Sequence, residues 1–347
     1  MQHLIHDFTA GEREGIVSDD AGHVTLAPGA PQGHWLSPIY EADPFDELIP
    51  GWNAWTPDAS WMELTVRLRL PDGWSDWLSL GRWGTGVERG SIAGQGDERV
   101  TVKVDTVTCR DCVADGWQAR VTLHRDPATG ATPTLVDLSI WTGHHGQRQP
   151  LSYEQHAAWG KTIDVPTRSQ AVEAEDMRWH ICSPTSLGMA LAHYGIVQPT
   201  VQVCEGVFDY GKRIWGNWPF NAAYVLPASG GRLSGHVERW DSLRPLEDEI
   251  AAGRPVVLSH RWQPGDLEGA HSPQSTSGHL IVVVGFDEQG NVVVNDPAFD
   301  PTRGESVRQV YRRQDIYRTW LERASGVVYT VRETSPPNDR KGTQHGL

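Results

Sequence analysis

Residues 63–70 read ELTVRLRL, and the pattern of this stretch indicates how the first half of the chain folds. Every second residue is Leu or Val, while the residues between them are charged or Thr, so a strand here has one apolar and one polar face. The same alternation returns at residues 100–105, 119–123 and 136–140, with Gly, Pro and Asp in the connections. No helical period interrupts these segments, so residues 35–141 are predicted to form an antiparallel β-sandwich.

Tryptophan is concentrated in the same part of the chain. Of the 16 Trp residues in the sequence, nine lie here: Trp35, Trp52, Trp55, Trp61, Trp74, Trp77, Trp83, Trp117 and Trp141. Indoles pack well inside a sandwich, and large exposed aromatic side chains are uncommon, so most of the nine are predicted to lie in its core. Any that remain exposed could stack on a sugar ring or hold a peptide, which makes a glycan or a peptide the candidate ligand of this half.

The pattern changes after residue 146. At residues 183–194, apolar side chains recur at positions i, i+3, i+4 and i+7, and Gly195 follows them, which predicts a short amphipathic helix. The other predicted elements are helices at residues 243–252 and 314–322 and strands at residues 255–258, 279–286, 291–295 and 327–332. This half is therefore predicted to be α+β, with helices first and then a sheet.

At 347 residues, the chain is longer than one typical domain. The change of pattern predicts a Trp-rich β-sandwich domain at residues 1–155 and an α+β domain at residues 156–334. The tail at residues 335–347 is polar and rich in Pro and Gly, so it is predicted to be disordered.

Charge and hydropathy narrow the class of partner. A formal net charge of −14 repels a phosphate backbone, so no nucleic acid partner is expected. No segment approaches the ~20 apolar residues that span a bilayer, and residues 1–15 lack the basic start and apolar core of a secretory signal. The chain is therefore expected to be soluble and cytoplasmic, without a membrane partner.

The second half contains residues suited to nucleophilic catalysis. Cys182 stands at the start of a predicted helix with Pro184 in its first turn, and the positive end of a helix favours the nucleophilic thiolate. His279 opens an apolar strand, and Asp296 ends the next strand along the chain. A tight turn between these strands would bring His279 and Asp296 side by side, so the carboxylate would fix the tautomer of an imidazole that accepts the thiol proton.

Four separated elements, in this order, resemble the papain-like cysteine peptidases of family thirty-nine. They are Val-Pro-x-x-Ser-Gln at residues 165–170, Cys-x-Pro-x-Ser-Leu at 182–187, Gly-His at 278–279 and Asn-Asp-Pro at 295–297. The family includes the domains that remove double-glycine leaders from bacteriocin precursors, and stand-alone bacterial relatives. The resemblance covers roughly residues 163–332 and implies a papain-like domain that cleaves a peptide amide bond without a cofactor. The first half also resembles the β-domain that precedes such peptidase domains in some bacterial proteins.

Carried over to this chain, the resemblance makes Cys182 the nucleophile, His279 the general base and acid, and Asp296 the residue that orients His279. Gln170 matches the glutamine whose side-chain amide, with the backbone N–H of Cys182, binds the oxyanion. Two features depart from the family. Ser183 stands where Gly usually follows the nucleophile, and the ATP-binding cassette and membrane spans of the leader-processing exporters are not in the sequence. The resemblance therefore does not imply a role coupled to export.

Other enzyme classes use the same residues. Acyltransferases, transglutaminase-like enzymes and peptidoglycan amidases also contain Cys, His and Asp in this order, because the triad fixes neither the substrate nor the acyl acceptor. A glycan- or peptide-binding protein that has lost activity is a further alternative. The complete set of four candidate residues argues against it.

The remaining cysteines are open to simpler interpretations. Cys109 and Cys112 have the spacing of a zinc or redox pair, but His144 and His145 would have to complete a tetrahedral site. Two free thiols or a disulfide are the simpler interpretation. Cys204 lies in a segment predicted to be helical and is expected to pack in the core.

A zinc hydrolase is the metal-based alternative, because His260 and His271 lie near His279 in the sequence. However, the sequence contains no His-Glu-x-x-His motif, and a metal site would leave Cys182 without a function. No metal and no other cofactor is therefore expected.

Overall fold

The structure is a computed structural model that describes residues 1–92 and 94–334. In this part of the chain, the first half is built from strands and the second half combines helices with strands, which confirms the α+β class and the β-rich N-terminal domain. The tail at residues 335–347, predicted to be disordered, lies outside the described residues. The domain boundary near residue 155 stays a prediction.

The strands of the first half are β1 (Gln2–Ile5), β2 (Glu12–Glu14), β3 (Ile16–Ser18), β4 (Val24–Leu26), β5 (Gln32–Leu36), β6 (Tyr40–Phe45), β7 (Glu47–Trp55), β8 (Trp61–Leu70), β9 (Gly73–Trp74), β10 (Leu78–Trp83), β11 (Val100–Lys103), β12 (Thr106–Cys109), β13 (Ala114–His124) and β14 (Thr134–Gly143). The helices of the second half are α1 (Cys182–His193), α2 (Thr200–Val207), α3 (Trp218–Ala228), α4 (Arg244–Ala251) and α5 (Arg313–Ile316), with a 3₁₀ helix at Pro301–Arg303 and a π-helix at Tyr317–Glu322. Its strands are β15 (Leu233–Arg239), β16 (Val256–Trp262), β17 (Thr276–Phe286), β18 (Val292–Asn295), β19 (Arg308–Tyr311) and β20 (Val327–Glu333). Over residues 1–92 and 94–334, no helix is long and apolar enough to cross a membrane.

Two seven-stranded antiparallel sheets form the first half. One has the order β11-β12-β7-β14-β4-β3 with β1 paired to β14, and the other has the order β10-β8-β13-β5-β2 with β6 on β13 and β9 on β8. Strand β8 contains the stretch at residues 63–70, and its Leu and Val side chains are buried while the residues between them are half-exposed. The alternation in the sequence therefore identified both the strand and its buried face correctly.

Strands β7 and β14 are buried on both faces, unlike β8. The alternation at residues 136–140 predicts one exposed face, but every one of these residues is buried. The reason is long-range packing, since α3 and β15 contact β7, and β15 also contacts β14. The second half of the chain thus covers the face that would otherwise meet water.

A buried polar network joins the two halves. The Asn53 side-chain amide donates hydrogen bonds to Asp137 Oδ1 at 2.9 Å and to the carbonyl oxygen of Gly235 at 3.1 Å. In return, the Gly235 N–H donates to Asn53 Oδ1 at 3.1 Å, and His236 Nε2 lies 3.3 Å from Asp137 Oδ1. Buried polar groups need such partners, so this network favours one way of packing the halves together.

The Trp residues of the first half divide between core and surface. Five of the nine are buried: Trp35, Trp52, Trp83, Trp117 and Trp141. On the polar face of β8, the Arg67 guanidinium lies 4.4 Å from the ring centre of Trp74 and 4.9 Å from that of Trp77. Because arginine already stacks on these two indoles, the glycan or peptide ligand of this half stays a prediction.

The second half has one antiparallel sheet in the order β15-β20-β16-β17-β18-β19. Helix α1 packs against β17 and is also in contact with α2 and α3. Ten of its twelve residues are buried, from Ser183 to Ala192, so the prediction of an amphipathic helix was wrong in this respect. The helix is enclosed by the sheet on one side and by two helices on the other, which leaves little of it to face water.

Candidate active site

Cys182 is the first residue of α1, and it lines a cleft with a volume of about 570 Å³. The first N–H groups of a helix have no partner inside the helix, and no acidic residue lies in this first turn. The Ser186 hydroxyl donates to the carbonyl oxygen of Leu280 at 3.0 Å, which fixes α1 to β17 next to His279. The positive end of the helix dipole therefore lies at the cysteine, where it favours a negative sulfur.

His279 and Asp296 are neighbours across two adjacent strands, as their positions in the sequence predicted. His279 lies on β17 and Asp296 follows β18, and Nε2 of the imidazole is 2.7 Å from Oδ1 of the carboxylate. Both side chains are buried, and His279 also interacts with the Cys182 side chain. The structure thus brings three of the four candidate residues together.

Both oxygens of the Asp296 carboxylate are held by hydrogen bonds. The Ala298 N–H donates to Oδ1 at 3.0 Å, and the Tyr311 hydroxyl donates to Oδ2 at 2.8 Å. Sequence reasoning missed Tyr311, because it ends β19, a strand that the residue pattern did not predict. Tyr311 therefore joins the site through sheet pairing alone, opposite Val292 of β18.

The charges of this pair stabilise each other. Burial alone would lower the pKa of His279, but the charge and hydrogen bond of Asp296, with a smaller contribution from Cys182, raise that pKa to about 10. Burial alone would raise the pKa of Asp296, but the charge and the hydrogen bond of His279 hold it well below its usual range. At neutral pH the pair is therefore an imidazolium beside a carboxylate.

Two further histidines flank His279. The ring centres of His260 and His271 lie 5.7 Å and 4.8 Å from that of His279. Burial and the charge of His279 lower the pKa of His260 to about 3 and that of His271 to about 4, so both rings are neutral at pH 7.

The zinc hydrolase alternative requires a group of side chains placed to bind a metal ion. One donor atom each of His271, His279 and Asp296 lies within 4.8 Å of the others, and His260 is not part of this group in the described residues. A metal ion that used Nε2 of His279 or Oδ1 of Asp296 would replace the 2.7 Å hydrogen bond between these two atoms.

Gln170 lies beside the loop that follows Asp296. It is 3% exposed, and its backbone N–H donates to the carbonyl oxygen of Pro297 at 2.8 Å. Its side-chain Oε1 is buried without a hydrogen-bond partner among the described residues. Its role at the oxyanion stays a prediction.

Two neighbours of the candidate residues have their own structural partners. Ser183, which departs from the family pattern, is fully buried, and its hydroxyl lies 3.0 Å from that of Tyr329. The Asn295 side chain donates to the carbonyl oxygen of Val165 at 3.2 Å and accepts from Nε of Arg308 at 2.6 Å. Asn295 is therefore directed to other groups, and Asp296 is the residue that contacts His279.

The remaining cysteines lie elsewhere. Cys109 and Cys112 are free thiols whose side chains interact, and burial raises the pKa of Cys109 to about 12. His144 and His145 each pair with a carboxylate, at 3.1 Å and 3.0 Å, and these four residues form no group of candidate metal ligands within the described parts of the chain. Cys204 is buried in α2, as predicted.

The fold defines a protein with a β-rich N-terminal domain and a peptidase-like α+β domain. Residues 162–327 match the model of the Peptidase C39 like family, and residues 4–143 match the model of the Peptidase C39 N-terminal domain. These matches confirm the resemblance to peptidase family thirty-nine in both halves of the chain. No curated protein matches the chain.

Several solved structures are similar at low identity. A C39-like peptidase from Bacillus anthracis is 18% identical, with 50% of this chain and 99% of that chain covered and a TM-score of 0.38. A double glycine motif protease from an AMS/PCAT transporter, in complex with the leader peptide, is 20% identical, with 50% and 94% covered and a TM-score of 0.31. A family two carbohydrate esterase from Cellvibrio japonicus is 15% identical, with 56% and 50% covered and a TM-score of 0.23.

Proposed function

We propose that this protein is a cysteine peptidase that cleaves an amide bond in a peptide, with Cys182 as the nucleophile. One observation carries the proposal: a buried His279–Asp296 pair, 2.7 Å apart, adjoins a cysteine at the start of a helix. The match of residues 162–327 to the Peptidase C39 like family supports the same activity.

In the first proposed step, the Cys182 thiolate attacks the carbonyl carbon of the substrate, and a C–S bond forms while an electron pair moves onto the oxygen. His279 then donates the proton on Nδ1, the nitrogen that does not contact Asp296, to the leaving nitrogen as the C–N bond breaks. The amine product leaves, and the acyl group remains on Cys182 as a thioester. The raised pKa of His279, about 10, supports the presence of this proton at neutral pH.

In the second step, His279 takes a proton from water, and the resulting hydroxide attacks the thioester carbon. The C–S bond breaks, the acid product leaves, and the thiolate and imidazolium are restored. The oxyanion in both steps is proposed to bind the backbone N–H of Cys182 and the side-chain amide of Gln170. The proximity of Gln170 to Pro297 supports this role, because it ties Gln170 to the Asp296 side of the site.

Alkylation by iodoacetamide tests the nucleophile. We expect Cys182 to react fastest, because Cys109 and Cys204 are buried and burial raises the pKa of each thiol to about 12. These two cysteines are internal controls in the same folded protein. His279→Ala should slow the reaction at neutral pH, since it removes the imidazolium. Labelling of Cys182 no faster than that of a denatured cysteine would contradict the proposal and favour a binding protein.

A cleavage profile tests the reaction itself. The full chain is incubated with a mixed peptide library, and products are identified by mass spectrometry, with and without EDTA. We expect cleavage that ignores EDTA and falls by about 10³-fold or more in Cys182→Ser. Loss of activity on chelation and its return with zinc would support a metal hydrolase instead. Transfer of the acyl group to added amines, in place of hydrolysis, would identify an acyltransferase.

A further inference from the structure

The cleft at Cys182 differs in charge from the protein as a whole. The formal net charge of the chain is −14, yet no Asp or Glu occurs among the described residues that line the cleft. Three arginines line it: Arg213, Arg239 and Arg261. A cleft with charge of one sign concentrates field lines and attracts ligands of the opposite sign.

Arg239 is built into the cleft wall. Its Nη2 lies 3.0 Å from Oε2 of Glu47, a residue of the first half, and both side chains are 6% exposed. Its Nη1 donates to the carbonyl oxygen of Ser325 at 3.2 Å. The Nε of Arg239 is buried and has no hydrogen-bond partner among the described residues. Arg239 therefore forms part of the cleft wall, where its guanidinium is held by Glu47 and by the carbonyl oxygen of Ser325.

Arg213 is presented by an anchored loop between α2 and α3. Asp209 in this loop is fully buried and accepts hydrogen bonds from Ser91 Oγ at 2.6 Å and from the Asn217 amide at 2.9 Å. Arg213 itself has φ of 57°, a left-handed conformation that residues other than Gly rarely adopt. Its exposed side chain makes no ion pair or hydrogen bond with any described residue, so the guanidinium is available to a ligand.

Arg261 lies on β16 directly after His260, and its side chain is exposed. Its Nε donates to the carbonyl oxygen of Arg323, and it forms no ion pair within the described residues. Burial lowers the pKa of Arg239, while the carboxylates of Glu47, Asp105 and Asp46 raise it and the positive charge of Arg261 lowers it. Arg213 and Arg261, which form no ion pair within the described residues, therefore place positive charge in the cleft that the protein does not neutralise.

We propose that this cleft selects substrates that carry a carboxylate close to the scissile bond, on an Asp or Glu side chain or at the peptide C-terminus. This inference rests on the proposed peptidase function and adds the substrate class. Guanidinium groups bind carboxylates through paired, charge-assisted hydrogen bonds, and the exposed side chains of Arg213 and Arg261 supply the donors.

Binding to the Cys182→Ser protein tests the carboxylate preference without any cleavage. The probes are a peptide of alternating Ala and Glu and the matched peptide of Ala and Gln, and the affinity of each is measured by calorimetry at low and at physiological salt. We expect the Glu peptide to bind about 10-fold more tightly, with an advantage that shrinks as salt is added. Equal affinities would overturn the inference. An amidated form of the Glu peptide distinguishes the two carboxylate sources, because only capture of the C-terminus is lost on amidation.

Charge-matched variants assign the preference to the cleft. Arg213→Gln and Arg261→Gln should each reduce the advantage of the Glu peptide about threefold or more, while Arg13→Gln, on β2 in the first half, should leave it unchanged. An equal effect of all three variants would indicate general charge attraction and would overturn the assignment to the cleft.

The proposed function can fail separately from this inference. A Glu preference in binding, together with no Cys182-dependent cleavage of any peptide, would contradict the peptidase function and leave the carboxylate site standing. Cleavage that depends on Cys182 but shows no enrichment of acidic residues near the cut would contradict the inference alone.

Discussion

Two buried histidine–aspartate pairs occur among the residues that the structure describes. His279 and Asp296 lie 2.7 Å apart in the second half, and His236 and Asp137 lie 3.3 Å apart where the two halves meet. All four side chains are less than one tenth exposed. A buried pair of this kind is therefore not sufficient to define a catalytic site.

The third group at each pair makes the difference. At His279 that group is Cys182, which faces the cleft, whereas at His236 it is the Asn53 amide, which bonds Asp137 across the boundary between the halves. We therefore propose that the His279–Asp296 pair transfers a proton to a substrate, while the His236–Asp137 pair holds the two halves together. Matched substitutions in the two pairs should therefore have different effects, a loss of activity at one pair and a loss of stability at the other.

The largest expected difference comes from the two carboxylates. Asp296→Asn keeps the size of the side chain but presents the wrong partner to His279, so kcat should fall by about 10⁴-fold with folding retained. Asp137→Asn, the matched change, should lower the free energy of unfolding by about 1–3 kcal/mol and leave kcat of the folded protein unchanged. Peptide cleavage and urea denaturation are measured for both. A similar loss of activity in the two variants would mean that the pairs do not have separate roles.

A Gln170 variant tests whether the proposed active site has an oxyanion donor beside the His279–Asp296 pair. Such a donor acts mainly on the transition state, so Gln170→Ala should lower kcat by about 10²- to 10³-fold and leave KM nearly unchanged. The measurement is steady-state cleavage of one peptide from the library. A change confined to KM would make Gln170 a substrate-binding residue instead.

The pH dependence of the free energy of unfolding tests whether His260, beside the His279–Asp296 pair, is neutral in the folded protein. His260 has a pKa of about 3 in the folded protein and about 6.5 when unfolded, so the unfolded state binds more protons as the pH falls below 6.5. Because of His260, the free energy of unfolding should therefore fall by about 2 kcal/mol when the pH is lowered from 7 to 5. The pKa of His279 is shifted in the opposite direction, to about 10. The stabilising contribution of His279 is therefore complete below pH 6.5 and is lost as the pH rises towards 10.

The matched variant for this test is His260→Asn, whose amide oxygen can take the place of Nδ1 opposite Thr319. The free energy of unfolding of each protein is measured by urea denaturation at pH 7 and at pH 5. Between these pH values, the decrease should be about 2 kcal/mol smaller in the variant than in the wild type. An equal fall in both proteins would assign the acid sensitivity to other groups, such as His271.

Parts of the fold and site could be predicted because their signals are local. Cys182 begins α1 and Asp296 directly follows β18, as the residue pattern predicted. The pattern starts the next element at His279, whereas β17 begins at Thr276, but it still assigns His279 to the correct strand. Helix α3 was missed, although Asn217 caps it by accepting from the Phe220 N–H at 3.2 Å, because prolines at both ends obscure its pattern. Apolar periodicity is a poor guide to such a helix, since nearly all of its residues are buried.

The remaining features depend on contacts between distant segments. Strand β14 has two buried faces only because β15 packs on it, and Arg239 meets Glu47 only because the halves associate. Tyr311 reaches Asp296 through the pairing of β18 with β19. No local pattern encodes such pairings, so these residues could not be selected from the sequence.

Tyr311 also offers the finest test of the comparison, because it supplies a hydrogen bond that the second pair lacks. Asp137 accepts from Asn53 on Oδ1, the same oxygen that His236 approaches, whereas Asp296 has His279 on Oδ1 and the Tyr311 hydroxyl on Oδ2. Holding both oxygens fixes the plane of the Asp296 carboxylate and favours its charged form.

Tyr311→Phe removes this bond and little else, so kcat should fall about fivefold, which corresponds to about 1 kcal/mol. The acid limb of the pH–rate profile should also move to higher pH, because a carboxylate with one hydrogen bond fewer is protonated more easily. Tyr194→Phe is the control, since the Tyr194 hydroxyl donates to the carbonyl oxygen of Val331 at 2.8 Å, outside the His279–Asp296 pair. A purely structural Tyr311 would lower stability as this control does and leave the acid limb unmoved, because the titration of Asp296 would then not depend on the Tyr311 hydroxyl.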